Sequence, residues 1–458
     1  MTSPVRRASV FAALSTLVLA VPLAGIEVAT AIAAVVLLGA FLVTDGPLFE
    51  LVAYPGDYED RRLYGLITFV LAAVALGLVA FNTSMSTAIF VGTVLLVGYG
   101  NLAERLVRAR SDNDVLAVAG FCLVATVAAV LGQVVTLLAL SGEPGSVAAA
   151  TTTTTTATIE AVLPSVLFLA ASGALLAALL RDVFLIYDDP VVMLSAGFLL
   201  WLLAELDPGL GTVDIVLALT ITALLGYVSY ALETASIAGM ITGVLLGLLT
   251  IVLGGYAWFA VLIAFFGIGG LSTKFRYGRK EELGVAEDNN GARGSGNVLG
   301  NAAVAIAAVL GYAASLAGLL PVTADLFLFA FAGSVATAMS DTLSSEVGSV
   351  FETPRLITTL EPVEPGTDGG ITWQGEVAGL TGAAIVGGLS YLLFPAVGAV
   401  GAAIIVAAGF VGMTVDSLLG ATLEGTLLGN QGVNFLATLS GAIVCAVLLM
   451  LFSTAVLG

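Results

Sequence analysis

A chain of 458 residues that is 59% hydrophobic and only 10% charged, with a mean hydropathy of +1.10, carries more apolar surface than a water-soluble core of this size can bury, so it reads as an integral membrane protein. Its net charge of -18, from 32 acidic against 14 basic residues, excludes nucleic acid and anionic lipid surfaces as main partners and suits a salt-adapted organism. The absence of histidine removes imidazole catalysis, and the two cysteines, Cys122 and Cys445, both fall inside apolar runs, against a disulfide framework or a cysteine metal site.

Taken in chain order, runs of roughly 17 to 25 mostly apolar residues, the length that crosses a bilayer as helix, recur near residues 8–24, 26–44, 63–81, 84–100, 114–140, 157–180, 190–205, 212–231, 235–253, 255–272, 298–319, 322–340, 374–394, 396–415 and 433–457. The expected fold class is all-α, a polytopic helical bundle of about fifteen spans. With the amino terminus in the cytoplasm, Arg6, Arg7, Arg61, Arg62, Arg105, Arg108, Arg110, Arg181, Lys274, Arg276, Arg279, Lys280, Arg293 and Arg355 all fall on the cytoplasmic side, so all fourteen basic residues obey the positive-inside rule. A span miscounted mid-chain would throw every later loop to the other face. The expected location is the plasma membrane, with the polar loops of the second half facing the cytoplasm. The first span, preceded by Arg6 and Arg7, also has the build of a cleaved signal peptide, whose removal leaves the rest of the topology unchanged.

The tract Ser141–Thr158, SGEPGSVAAATTTTTTAT, is low in complexity, lacks basic residues and lands outside the cell in this topology, where it reads as a loose linker open to glycosylation. It separates a transmembrane region over 1–140 from connecting helices over 159–209 and a carboxy-terminal transmembrane domain over 210–458, which holds nearly all the notable polar residues. In the first region only GYGNLAERLVRARSDN, Gly98–Asn113, stands out, either as a charged topology anchor or as a divergent copy of a catalytic unit.

The segment Gly267–Ala303 gathers Lys274, Arg276, Arg279, Lys280 and Arg293 in a glycine-punctuated loop that opens a new helix, a natural place for phosphate. There Gly291, Arg293, Gly294, Ser295 and Gly296 lead into a helix on which Asn297 and Asn301, four apart, share a face. Buried amides need partners, which neighbouring helices or a ligand supply equally well. Further on, MSDTLSSEVG (Met339–Gly348) and MTVDSLLGATLEG (Met413–Gly425) each place Asp before Ser or Thr and then Leu, so that Asp341 and Asp416 face one compartment. Carboxylates at helix ends inside a membrane are costly. Asp341, Glu346 and Asp416 suit magnesium shared with phosphate oxygens, or else they merely end the helices and keep the loops wet. On a continuous helix Glu346 sits about 140° from Asp341, so both reach one ion only if the helix ends or bends, and Ser344, Ser345 and Gly348 offer such a break.

The next loop, Pro354–Gly375, combines Arg355, Thr358, Thr359 and Thr367 with Gly366, Gly369 and Gly370 just before another helix, so that backbone N–H groups can approach phosphate oxygens; a plain turn is the alternative. Asn430 and Asn434, beside Glu424, repeat the amide pair with the same two readings. Segments 273–301, 341–373 and 416–434 thus converge on one face with the inventory of phosphoryl transfer. No general base is evident, and an acceptor that is already a phosphate monoester needs little proton abstraction.

In order along the chain, LSTKFRYGRKEELGVAEDNNGARGSGNVLGN, DTLSSEVG, PRLITTLEPVEPGTDGGIT, VDSLLGATLEG and NQGVNFLAT closely resemble the family of transmembrane protein 19, also known as domain of unknown function 92. The resemblance runs from about Ser229 to the end, roughly half of the chain, and leaves roughly the first 200 residues without a counterpart. That family includes a plant and cyanobacterial phytyl-phosphate kinase. The resemblance therefore implies a polyprenyl-phosphate kinase that converts an isoprenyl monophosphate into its diphosphate, with CTP or ATP as donor and Mg2+ as cofactor. If the charge balance marks a salt-adapted archaeon, geranylgeranyl phosphate would be a natural substrate for lipid salvage. Matched position by position, the motifs give Asp341, Glu346 and Asp416 to magnesium and Lys280, Arg293 and Arg355 to the phosphates as catalytic groups. Gly366, Thr367, Gly369 and Gly370, with Thr358 beside them, would cradle the donor, while Asn297, Asn301 and Asn434, with Asn430, would line the acceptor site.

Two other readings stay open. A transporter or lipid flippase suits about fifteen glycine-rich helices with a hinted repeat, but it needs polar residues near mid-bilayer, where Asp325 and a few amides are poor candidates. A non-catalytic membrane protein would turn the same loops into interaction surface.

Overall fold

The computed structural model describes residues 3–141, 152–183, 188–206, 208–286 and 294–457 and divides into two compact units, Met1–Leu217 and Ala218–Gly458. Thirteen of its helices are long and apolar enough to cross a membrane, or fifteen when two bent pairs each count as one span. The expected runs coincide with these fifteen elements, because a bilayer-length apolar stretch must satisfy its own backbone as helix.

The first unit contains α1 (Pro4–Thr16), which continues through a 3-10 turn into α2 (Ala20–Ala24), then α3 (Ile26–Leu42), α4 (Gly46–Val52), α5 (Asp57–Asp60), α6 (Tyr64–Asn82), α7 (Thr87–Arg108), α8 (Asp114–Ser141), α9 (Thr152–Val183) and α10 (Asp189–Leu206). The unit boundary falls inside α11 (Thr212–Ala231). Of the threonine-rich tract, residues 142–151 lie outside the described residues, whereas Thr152 onward is already the start of α9, which corrects the expected linker. A helix continued from an apolar span extends at one hydrogen bond per residue without a fresh nucleation cost.

Helix α7 is the axis of this unit: every residue from Ala88 to Gly98 is buried, so no amphipathic stripe is needed. The first helix packs into the same core through Phe11, edge-on to Phe69 at 5.3 Å, and through the Thr16–Tyr99 hydroxyl contact of 2.9 Å. At one end of α7 the charged motif does more than anchor topology. Arg181 of α9 donates to Asn101 Oδ1 at 3.1 Å and Asp189 Oδ1 at 3.0 Å and lies 3.5 Å from Glu104 and 3.4 Å from Asp188. One guanidinium thus ties α7, α9 and the start of α10 together. Replacing it, as in Arg181→Met, leaves buried carboxylates without their cation, and we expect a loss of about 3–5 kcal/mol, read as a lower unfolding temperature in detergent.

The second unit takes the rest of α11, α12 (Ile237–Gly254), α13 (Tyr256–Ser272), α14 (Tyr277–Leu283), α15 (Ser295–Leu316), α16 (Ala324–Gly348), a ribbon of β1 (Arg355–Leu356) with β2 (Gly370–Ile371), α17 (Trp373–Leu393), α18 (Ala399–Leu423) and α19 (Asn430–Leu457). Its centre is α16, buried nearly all round from Leu328 to Leu343. Three neighbours reach it by shedding side chains. A Cβ on Gly382 of α17 would stand 2.8 Å from the Met339 carbonyl oxygen, and one on Gly412 of α18 or Gly441 of α19 would overlap the Thr337 hydroxyl. Small residues at such crossings let helices gain van der Waals contact where lipid supplies no hydrophobic drive. This packing fixes the rotation of α16 and hence the direction of Asp341.

Candidate functional site

The antiparallel run of the second unit brings the starts of α15, α17 and α19 and the last turns of α16 and α18 to one end, where the 354–372 segment closes over them. They enclose a cavity of about 280 Å³. Helix starts present unpaired N–H groups and partial positive charge, whereas helix ends present the opposite. The carboxylates here, Asp341 and Asp416, are carried near the ends of α16 and α18, and the amides are carried on the starts of α15 and α19. Trp373, 73% exposed at the start of α17, puts an amphipathic ring at this end, as at a membrane–water interface.

Eleven of the fifteen sequence-predicted residues line the cavity: Asn297, Asn301, Asp341, Glu346, Gly366, Thr367, Gly369, Gly370, Asp416, Asn430 and Asn434. The amide pairs are preorganised. Asn301 Nδ2 donates to the Asn297 carbonyl at 3.0 Å, and Asn434 Nδ2 donates to Asn430 Oδ1 at 3.2 Å. Asp341 and Asp416 lie close enough to act on each other electrostatically, and Asp416 Oδ1 is buried with no hydrogen-bond partner. Two carboxyl groups so placed need a proton or a cation between them.

Of the remaining four expected residues, three stand elsewhere. Arg293 lies outside the described residues. Thr358 is exposed in the turn, and Arg355, on β1, turns its guanidinium to the Leu360 carbonyl at 2.7 Å. Lys280 of α14 is buried, donating to the Thr273 carbonyl at 3.2 Å and paired with Glu346. That pairing corrects the three-carboxylate set. Helix α16 continues unbroken through Ser344 and Ser345 to Gly348, so Glu346 stays about 140° from Asp341 and meets Lys280 instead. Among the described residues, no three His, Cys, Asp or Glu side chains gather closely enough to hold an ion.

Sequence reasoning assigned no role to Asp368, Ser417, Thr372 or Glu424, all of which line the cavity. The available signals were modest: Asp368 sits inside the glycine turn, Ser417 follows Asp416, and Thr372 caps α17 by accepting from Gly375 N–H at 3.1 Å. With these included, the wall carries five acids, Asp341, Glu346, Asp368, Asp416 and Glu424, and no Lys or Arg among the described residues.

The glycine turn is held by close approach. Gly369 has φ +74°, and a Cβ there would sit 2.5 Å from Ala421 Cβ and 2.6 Å from the Ser417 carbonyl oxygen of α18. Gly369→Ala should therefore lift the turn from α18 and lower the unfolding temperature in detergent, while Gly388→Ala, open around its Cβ, does not.

Glu424, just past α18, is pushed above the usual carboxylate range by its partial burial and then by Asp368, with the Asn430 side-chain hydrogen bond drawing it back. The folded protein binds this proton more tightly than the unfolded chain does. Its contribution is full below the ordinary glutamate range and is lost as pH rises through the folded value. Glu424→Gln should flatten the fall of Tm with rising pH above that range; an unchanged slope would clear Glu424 as its source.

The helical bundle with a polar cavity at one end is that of a multi-pass integral membrane protein. A family model described as integral membrane protein DUF92 matches residues 220–442, within the second unit. An uncharacterized membrane protein of Methanocaldococcus jannaschii is 36% identical over 212 residues, spanning 45% of this chain and 82% of the relative. One from Synechocystis sp. is 33% identical over 195 residues, 41% of this chain and 72% of the relative. Protein VTE6, chloroplastic, of Arabidopsis thaliana is 32% identical over 222 residues, 47% of this chain and 66% of that protein. No solved structure matches. The chain belongs to the integral membrane protein DUF92 family.

Proposed function

We propose that the second unit is a polyprenyl-phosphate kinase whose cavity joins an isoprenyl monophosphate to the γ-phosphoryl group of CTP or ATP on the cytoplasmic side. The observation that carries this reading is the wall itself: paired carboxylates on helix ends opposite amides and glycines at helix starts, with five acids and no described cation. Polyphosphate enters such a wall only when its charge is balanced. Asp341 and Asp416, with an orphaned buried oxygen, fit a magnesium ion shared with phosphate oxygens. When bound, that ion would offset charge on the transferring group.

The chain's own residues then have separable tasks. Asn297, Asn301 and Asn434 orient the acceptor phosphate, and the 366–370 turn with the start of α17 holds the donor phosphates. An acceptor phosphate oxygen attacks the donor γ-phosphorus in line. The new P–O bond forms as the bond to the β-bridging oxygen breaks, leaving an isoprenyl diphosphate and a nucleoside diphosphate. The test supplies purified protein in lipid at high salt with geranylgeranyl or phytyl phosphate, magnesium and CTP or ATP; absence of diphosphate with every pair would refute the reading.

A second reading draws on the unpartnered Asp416 oxygen within a membrane span: a cation-coupled carrier. Cation-driven flux across proteoliposomes without diphosphate formation would favour it.

A further inference from the structure

A second cavity, apolar where the first is polar, lies in the same unit between α11, α12, α13 and the start of α15. Its walls include Gly239, Gly243 and Gly247 of α12, Phe259 and Phe266 of α13, and Val298 of α15. The two cavities share α15. Asn297 and Asn301 line the polar one, and Val298, about 100° round the helix from Asn297, lines the apolar one. Both begin at the same end of the bundle, since Gly270 at the close of α13 and Val298 in the first turns of α15 border the apolar cavity. From there the glycine row of α12 descends eight residues, about 12 Å along the helix, into the span.

The middle glycine is not explained by helix packing. A Cβ on Gly247 would touch Thr222 and Phe259, as at a close helix crossing, but a Cβ on Gly243 would meet nothing within 4 Å. Glycine inside a helix costs about 1 kcal/mol against alanine, and here it leaves a trough open beside two phenylalanines. Resting on the kinase reading, we propose that this trough seats the isoprenoid tail of the acceptor whose phosphate lies in the polar cavity, and that Gly243 sets the tail length accepted. An amphiphile of that kind needs an anion site and an apolar channel that start at one level and diverge, and α15 divides the two.

A Cβ at residue 243 has open space around it, so Gly243→Phe should place its ring in the trough. It should lower kcat/KM for geranylgeranyl phosphate about 10- to 200-fold and leave dimethylallyl phosphate, too short to reach residue 243, unchanged. Gly243→Ala should fall between. Equal rates for both acceptors in wild type and Gly243→Phe would overturn the tail assignment and leave the kinase reading standing. No diphosphate from wild type with either acceptor would instead remove the reading beneath it. A binding measurement on the wild-type protein covers a variant that fails to fold: geranylgeranyl phosphate carrying a terminal diazirine should label α12 or α13 around residues 239–266, with unmodified geranylgeranyl phosphate competing. Label confined to other helices would overturn the proposal.

Discussion

On the proposed kinase reading, Asp341→Asn and Asp416→Asn should each cut isoprenyl diphosphate formation by about 10³-fold, equivalent to about 4 kcal/mol of transition-state stabilisation, without unfolding the protein. Asparagine keeps the volume of aspartate, removes its charge and replaces one acceptor oxygen with an NH2 donor. The two side chains lie near each other within the span, where unshielded like charges are expensive. Neutralising one should therefore leave the unfolding temperature unchanged or raise it. That opposition between stability and activity is the signature sought, because a carboxylate kept only to end a helix would lose neither. Turnover and unfolding temperature measured on the same preparations decide the matter. Wild-type turnover in both variants would remove Asp341 and Asp416 from the chemistry while leaving the family assignment intact. Asp368→Asn, on the wall but outside the Asp341–Asp416 pair, serves as the comparison and should have the smaller effect.

Much of the fold was legible because bilayer thickness imposes a length on every span, and each apolar run has a matching helix. The converging loops were legible for a related reason: antiparallel spans return alternate loops to one end, so Asn297, Asp341, Asp416 and Asn434 had to lie at a common level. The rotation of each helix about its axis was not legible. It depends on which glycines meet which backbone, as at Gly382 and Gly412 against α16, and that is long-range information. Hence the metal set was drawn too wide, because Ser344 and Ser345 suggested a break where α16, packed against α17 and α18, runs on to Gly348. Basic residues misled similarly. The loop 273–293 is rich in Lys and Arg, yet Lys280 is committed to Glu346 and Arg279 pairs with Glu282 and Glu352. A positive count in a loop states on which side a loop prefers to lie, and says little about what each cation touches.

Lys280→Met should cost about 3–5 kcal/mol in stability, as much as Arg181→Met. Lys280 and Glu346 have side chains only 3% and 10% exposed, so removing the ammonium strands a largely buried carboxylate without its cation. Glu346→Leu should cost a similar amount, since the buried ammonium would keep only the Thr273 carbonyl as acceptor. The double variant, Met at 280 with Leu at 346, should recover most of the loss, because apolar side chains of similar volume replace a buried ion pair at little net cost. A double-mutant cycle of unfolding temperatures measures this coupling. Activity of the double variant then separates two roles for Lys280. If the pair serves to pin α14 against the end of α16, the stable double variant turns over at close to the wild-type rate. If Lys280 instead leaves Glu346 to meet phosphate during the reaction, the double variant folds and is inactive. We expect the first outcome, because burial on both sides and a second acceptor at Thr273 already occupy the ammonium.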